Sequence, residues 1–184
     1  MKKILMTLVA VAMATTMNAQ YFVGGTVGYS HASNENSHTN TWTVAPEFGY
    51  SLNDQWTIAT SIGYVTSKTD NVKESGFFIA PYARYTFAKL EKINFFVDLG
   101  FGYEHGRETS KSFWGGEVDS DYNNWEIGLY PGLAVNLNSK ISFVTKIGVL
   151  NYTTSHVCGS DVTDKGFNLG IDNSDLSFSV YYNF

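Results

Sequence analysis

The sequence has few cysteines, which cross-link a fold, and few prolines, which interrupt regular secondary structure. It contains one cysteine, Cys158, and three prolines among 184 residues. A single cysteine excludes an internal disulfide, so the stability of the chain has to come from packing and hydrogen bonding. Basic residues are also scarce, with 12 Lys and Arg against 17 Asp and Glu. Because phosphate binding needs an excess of positive charge, we expect no nucleic-acid partner.

Long hydrophobic runs are absent after the first twenty residues, "MKKILMTLVAVAMATTMNAQ". This opening stretch starts with Lys2 and Lys3, continues through a short apolar segment and ends in small and polar residues, which is typical of a secretory signal peptide. It is too short for a membrane-spanning helix. We predict a signal peptide over 1–19 and one domain over 20–184. Without the two lysines, the domain has 10 basic and 17 acidic residues, a net charge near −7.

Aromatic residues and glycine are abundant, at 16% of the chain and 17 copies respectively, a combination that favours strands. Apolar residues alternate with small or polar ones in eight segments. Alternation with period two predicts a sheet with two chemically different faces. The segments are 21–30, 40–51, 55–66, 76–88, 93–104, 122–135, 141–152 and 174–184.

The connections between these segments alternate between short and long. An up-and-down meander would place all short turns at one end of the sheet and all long loops at the other. The short connections are 51–54, 89–92 and 137–140, and the long ones are 31–39, 67–75, 105–121 and 153–173. The three prolines stand in similar stretches before the short turns, and because proline removes a ladder hydrogen bond we interpret them as bulges. They are Pro46, Pro81 and Pro131.

The two faces differ in size as well as polarity. In the segment 93–104, one parity is bulky and apolar from Ile93 to Tyr103, whereas the other includes Asn94, Asp98 and two glycines. Small groups suit the crowded interior of an eight-stranded barrel, and an outward apolar face is stable in lipid. We therefore predict an all-β, eight-stranded, antiparallel up-and-down transmembrane β-barrel. The alternative is a soluble β-sandwich with the bulky face turned inward.

Aromatic residues of the apolar face gather at both ends of the segments, as in the belts of transmembrane barrels. Near the long loops they are Tyr29, Trp42, Tyr64, Tyr103 and Trp125. Near the short turns they are Tyr50, Trp56, Tyr85, Tyr182 and Phe184.

Five charged residues share the inward parity of the predicted barrel. Arg84 and Asp98 are expected to lie opposite each other if 89–92 forms a turn. Inside a narrow lumen such charges can neutralise one another, so we predict an interior charge network that plugs the barrel. Its members are Glu47, Arg84, Asp98, Glu126 and Lys146. On a soluble sheet the same residues would be solvated surface charges.

Polar and aromatic residues of the long loops offer further candidate sites. His31, His38, His105 and His156 map to the loop end with Cys158, but their spacing matches no tight ligand motif, so we expect no metal and no cofactor. The loop residues Phe113 and Trp114 are a candidate partner-binding pair, or they enter the lipid headgroup region.

The signal peptide, the eight segments and the terminal "SFSVYYNF" together resemble the small outer-membrane barrels of the outer-membrane protein A and X type, over 21–184. The resemblance implies a place in the outer membrane of a Gram-negative bacterium, in contact with its lipids. It also implies an assembly signal for the insertion machinery, formed by Phe178, Val180, Tyr182 and Phe184. Ser179 departs from the glycine that is frequent in that family.

We therefore expect a monomeric outer-membrane barrel with a plugged interior, which serves a structural or cell-surface interaction role through four long extracellular loops. An extracellular ligand or a host surface is its expected partner, and no catalytic residue is predicted. Two alternatives remain open. One is a lipid-modifying enzyme of the acyltransferase or deacylase type, with His31, His105 or His156 as its base, and the other is a narrow pore.

Overall fold

Ten β-strands form the wall of the molecule in the part of the chain that the structure describes. The structure is a computed structural model that describes residues 21–34, 37–70, 72–111, 116–159, 163–170 and 177–184. None of these residues forms a helix long and apolar enough to cross a membrane. The strands are β1 Tyr21–Asn34, β2 Ser37–Ser51, β3 Trp56–Thr69, β4 Val72–Lys89, β5 Ile93–Lys111, β6 Glu117–Asn136, β7 Ile141–Lys146, β8 Leu150–Val157, β9 Thr163–Leu169 and β10 Ser177–Asn183.

The strands close into a barrel with eight wall positions. From β1 to β6 each strand pairs antiparallel with the next. β7 and β8 both pair with β6, at Gly132–Asn136 and Tyr122–Leu129, so they lie end to end in one position. β9 pairs with β8, and β10 pairs with β7 and with β1, which closes the barrel. The predicted eight-stranded antiparallel barrel is confirmed.

The two parities face in the predicted directions. Side chains of the apolar parity are exposed around the barrel, for example Leu99 at 51% and Ile127 at 48%. A soluble protein rarely leaves such a continuous apolar surface uncovered, whereas lipid tails cover it in a membrane. Aromatic side chains of this parity contact one another in pairs at the two ends, including Tyr29 with Trp42, Tyr64 with Phe77, Tyr103 with Trp125, Tyr21 with Tyr50 and Trp56 with Tyr85.

The interior contains large rings as well as small residues. Phe22, Phe96 and Tyr181 form a buried cluster near the short-turn end, with Ala134 and Val144. The rings of Phe22 and Tyr181 stack with centroids 4.6 Å apart. The expectation of a lumen filled by small residues and charges is therefore incomplete.

Glycine provides the space for inward aromatic rings at two wall positions. A Cβ added to Gly49 would collide with the ring of Phe22, and one added to Gly63 would collide with the ring of Phe78. Inward aromatic rings lie flat over the glycine of a neighbouring strand, which protects the exposed backbone there. Glycine at these two positions thus accommodates the inward aromatic rings.

The long loops are shorter than predicted, because the strands continue into them. β3 and β4 pair up to Thr69 and Val72, so only Asp70 and one further residue connect them. β1 and β2 pair up to Asn34 and Ser37. Thr, Ser and Asn in these stretches continue the backbone pairing outside the lipid. Because no apolar face is required there, the apolar alternation ends before the strands do.

The interpretation of the prolines as bulges is confirmed beside Pro131 and is wrong for Pro46 and Pro81. Pro46 pairs with Gly25 and Pro81 with Thr60, each in the register of its neighbours. Pro131 pairs in register with Val97 of β5, but on its other side the register shifts by one residue, since Gly132 pairs with Lys146 and Leu129 with Leu150. A separate register shift, between β4 and β5, lies between Thr86 and Ala88 and involves no proline. Each proline belongs to the outward parity and removes one donor from the ladder, and the extra residue beside Pro131 lies on the facing strand position, between β7 and β8.

Candidate functional site

The central feature of the lumen is an ion pair between adjacent strands. The register places Arg84 of β4 opposite Asp98 of β5. Arg84 Nε donates to Asp98 Oδ1 at 2.7 Å, and Arg84 Nη2 donates to Asp98 Oδ2 at 2.9 Å. Two parallel charge-assisted hydrogen bonds fix both side chains in one geometry. Both residues are buried, with 7% and 1% of their surface exposed.

A second acid and a second base join this pair. Lys146 Nζ lies 3.8 Å from Glu47 Oε1 and 3.7 Å from Asp98 Oδ2, between the two carboxylates. Glu47 is 2% exposed and accepts hydrogen bonds from the hydroxyls of Tyr82 and Tyr181. Two carboxylates and two cations balance, which is the condition for burying charge without a large penalty.

Aromatic rings lie next to the two cations and form cation–π contacts with them. The guanidinium carbon of Arg84 lies 3.7 Å from the ring centroid of Phe96, and Lys146 Nζ lies 4.6 Å from that of Tyr82. Contacts of this kind attract a cation to the ring face, and more strongly in a desolvated site. We call Glu47, Tyr82, Arg84, Asp98, Lys146 and Tyr181 the charge layer.

The charge layer lies between two cavities of the lumen. The cavity toward the short turns has a volume of about 600 Å³ and is lined by Arg84, Phe96 and polar turn residues such as Asn94. The cavity toward the extended hairpins has a volume of about 350 Å³ and is lined by Lys146 and Glu126, among others. Arg84 thus faces the first cavity and Lys146 the second.

Four of the five predicted network residues come together in the charge layer, and Glu126 does not. Glu126 accepts a hydrogen bond from the hydroxyl of Tyr130 on its own strand. In the described part of the chain it forms no ion pair. It lines the second cavity. Inward parity predicts that a residue faces the lumen, but it does not predict the residue's height along the barrel axis.

Sequence reasoning missed Tyr82 and Tyr181. Both belong to the inward parity, and their hydroxyls lie 3.4 Å apart. A tyrosine on the inward parity of a barrel needs a hydrogen-bond partner for its hydroxyl. That requirement is the signal that could have paired them with a buried carboxylate.

An acidic group marks the mouth of the lumen at the end opposite the short turns. Glu74 lies opposite Glu108 in the β4–β5 register. Burial, followed by the charges of Glu108 and Glu104, raises the pKa of Glu74 above its ordinary value. Burial also raises the pKa of Tyr122, whose hydroxyl donates to Glu104 Oε1 at 2.8 Å. The mouth therefore repels additional negative charge.

His105 and His156 belong to the outward parity of β5 and β8, and Cys158 is exposed in the turn after β8. His105 Nδ1 lies 2.9 Å from Asn123 Oδ1, and the amide of Asn123 donates to Sγ of the exposed Cys158 at 3.2 Å. His156 Nδ1 lies 3.3 Å from Thr163 Oγ1. Across the described residues, no three His, Cys, Asp or Glu side chains converge as metal ligands.

The remaining predicted sites are placed in part. Phe178, Val180 and Tyr182 face outward with 64%, 47% and 39% of their surface exposed, and Phe184 contacts Tyr182 edge to face. Ser179, at the departure from glycine, is buried and its hydroxyl lies 2.6 Å from that of Thr26. Phe113, Trp114 and the signal peptide 1–19 lie outside the described residues.

This chain belongs to the family of outer membrane protein β-barrel domains, whose family model matches residues 4–184. No curated protein matches it in sequence at a significant level. The family and the closed barrel together make it an integral protein of the bacterial outer membrane. The predicted resemblance and location are confirmed.

Three solved structures share the fold at low sequence identity. Neisserial surface protein A is 15% identical with a TM-score of 0.52, over 89% of this chain and 97% of its own. A major outer membrane protein of Thermus thermophilus is 12% identical with a TM-score of 0.54, over 91% and 100%. The translocator domain of the autotransporter NalP from Neisseria meningitidis is 8% identical with a TM-score of 0.53, over 100% and 95%.

Proposed function

We propose that the protein is a closed scaffold of the outer membrane, which presents its extracellular hairpins for interaction at the cell surface. The charge layer is the observation that carries this proposal. Glu47 and Asp98 are almost completely buried, and Arg84 and Lys146 compensate their charge. An ion that crosses the lumen would have to break these pairs in a desolvated environment, which is costly.

The β5–β6 hairpin is the most prominent element available for a partner. Its strands pair without interruption from the short-turn end up to Lys111 and Glu117. Lys111 lies eight positions beyond Tyr103 of the upper aromatic belt, a strand length of about 26 Å. A paired ribbon of this length holds its tip at a fixed distance from the membrane, which favours recognition by a large partner. Phe113 and Trp114, in the connection between the two strands, are the residues we propose for that contact.

Conductance in planar lipid bilayers tests whether the lumen is closed. We expect no steady conductance from the native chain. Replacing the four charged residues of the charge layer by serine should produce steady openings. Arg107→Ser with Asp121→Ser, which removes an exposed ion pair on the outer face of the β5–β6 hairpin, should not. Steady conductance of the native chain would refute the scaffold and favour the narrow pore.

Lipid A analysis tests the enzyme alternative. Cells that express the native chain and cells that express a variant with His31, His105 and His156 replaced by glutamine should contain the same lipid A by mass spectrometry. A change of acyl chains that depends on these histidines would assign the protein to lipid-modifying enzymes and exclude a purely structural role.

A further inference from the structure

The β3–β4 hairpin carries two lysines side by side on its outer face. Lys68 and Lys73 are Cα partners in the register, and both are exposed. Each belongs to the outward parity, since Lys68 follows Tyr64 by four positions and Lys73 precedes Phe77 by four. Like charges directly opposite each other destabilise a pair of strands. An anion bound between the two ammonium groups would remove this repulsion.

The described part of the chain does not supply that anion. Neither lysine forms an ion pair there, and their lateral neighbours in the register are the uncharged Asn40 and Thr109. Asp70 at the turn accepts a hydrogen bond from the backbone N–H of His38.

The other nearby carboxylates have partners or face elsewhere. Arg107 forms an ion pair with Asp121 at 2.7 Å. Asp119, which accepts a hydrogen bond from Thr109 at 2.8 Å, lies two strands away from Lys73. Glu74 belongs to the inward parity, beside Glu108. The outer face of the hairpin is thus positively charged while its inner face is negatively charged.

The height of the lysines matches the headgroup layer of the outer leaflet. Tyr64 and Phe77, with ring centroids 4.9 Å apart, belong to the upper aromatic belt, which marks the interface. Four strand residues above the belt span about 13 Å along the strand, and strand tilt lowers the rise to about 10 Å. Lysine side chains near an interface bend toward it. Their ammonium groups can therefore reach the phosphates of the headgroups.

We propose that Lys68 and Lys73 form a binding site for one phosphate-bearing lipid headgroup of the outer leaflet. A phosphate between the two ammonium groups accepts hydrogen bonds from both and removes their mutual repulsion. A lipid is favoured over a soluble anion because the aromatic pair directly below holds the acyl chains at the same place on the barrel. The site would fix one lipid at the β3–β4 wall.

Fluorescence quenching by a labelled lipid tests this site. Trp42 lies in the register opposite Thr66, on the strand beside Lys68. A chain with Trp56, Trp114 and Trp125 replaced by phenylalanine reports on Trp42 alone. In phosphatidylcholine vesicles that contain phosphatidic acid with a nitroxide near the headgroup, quenching gives the association constant of the anionic lipid relative to phosphatidylcholine. We expect K68Q/K73Q to lower it by about 30-fold, the equivalent of about 2 kcal/mol.

The controls separate the site from general charge effects. K89Q/K92Q removes the same charge at the opposite end of the barrel and should leave the constant unchanged, and K68E/K73E should lower it at least as far as K68Q/K73Q. All variants are checked for folding by heat-modifiable gel mobility. A K68Q/K73Q constant within about threefold of the parent would overturn the proposal. So would competition by inorganic phosphate at millimolar concentration, since this would indicate a site for soluble anions.

Discussion

At the scale of single residues, the stability of the barrel depends on buried charges that need their partners. Asp98 is 1% exposed and accepts two hydrogen bonds from Arg84. Replacing one partner of a buried pair leaves the other charged and desolvated, which typically costs about 3–5 kcal/mol. We therefore expect Asp98→Asn to reduce the free energy of unfolding by an amount in this range, measured by urea titration of tryptophan fluorescence in lipid vesicles.

Two comparisons make this expectation specific to burial. Asp121→Asn breaks the Arg107–Asp121 pair, whose side chains are 58% and 39% exposed, and exposed pairs contribute little. Replacing Arg84 by Met together with Asp98 by Leu removes both charges and should recover most of the loss, because buried pairs often tolerate apolar substitution. Equal effects of Asp98→Asn and Asp121→Asn would contradict the role of the charge layer in stability.

Glu74, at the mouth of the lumen, should make the folded state more stable as the pH falls. A salt-bridged acid has the opposite effect. Burial and the charges of Glu108 and Glu104 raise the pKa of Glu74 in the folded state above its ordinary value of 4.5. The folded state then binds the proton more tightly than the unfolded state, so stability increases as the pH falls from 7 through the raised pKa toward 4.5. Glu74→Gln should flatten this part of the stability profile, and an unchanged slope would exclude Glu74 as its source.

At the scale of elements, the hairpins show where pattern reading fails. Alternation of bulky and small residues located the membrane portion of each strand, because lipid demands one apolar face. Above the aromatic belts both faces meet water, and residues such as Ser67, Lys68 and Thr69 are compatible with strand or loop. Their pairing with Glu74, Lys73 and Val72 depends on the tight turn between them, which the sequence does not mark with glycine.

That turn can be tested at one position. Asp70 has φ of 46°, in the left-handed region, which asparagine and aspartate tolerate but β-branched residues do not. Asp70→Val should destabilise the folded state by about 1–2 kcal/mol, while Asp70→Asn, which keeps an acceptor for the His38 N–H, should have little effect. Hydrogen exchange at Lys68, Thr69 and Val72 should accelerate in the valine variant. Rapid exchange of these amides in the native chain would contradict the hairpin.

At the scale of the whole molecule, the difference in size between the two parities was sufficient to predict the barrel and its orientation. It could not predict which inward residues meet, since contacts across the lumen join strands far apart in the chain. Glu47 meets Tyr181 across 134 positions, and Glu126 is kept apart from Arg84 by its height alone. The division of one wall position into β7 and β8 occurs at the one-residue register shift beside Pro131, a residue type that is typical of such bulges.

The role of Phe184 in the predicted assembly signal can be tested by comparing folding in vitro with delivery to the outer membrane in cells. The backbone N–H of Phe184 donates to the carbonyl oxygen of Tyr21 at 3.1 Å, a bond that any side chain allows. The Phe184 ring contacts Tyr182 with centroids 5.1 Å apart, a contact worth about 1 kcal/mol. Phe184→Ser should therefore fold almost normally in detergent or vesicles.

In cells the same substitution should reduce the amount of folded protein in the outer membrane severalfold, if the insertion machinery reads this residue before the barrel forms. Phe101→Ser provides the matched control, since it removes an outward aromatic with 42% exposure from the middle of a strand. It should weaken the barrel in vitro at least as much as Phe184→Ser, with a smaller effect on delivery. If the two variants reach the membrane in equal amounts, the C-terminal aromatics act only through packing and the predicted assembly signal is wrong.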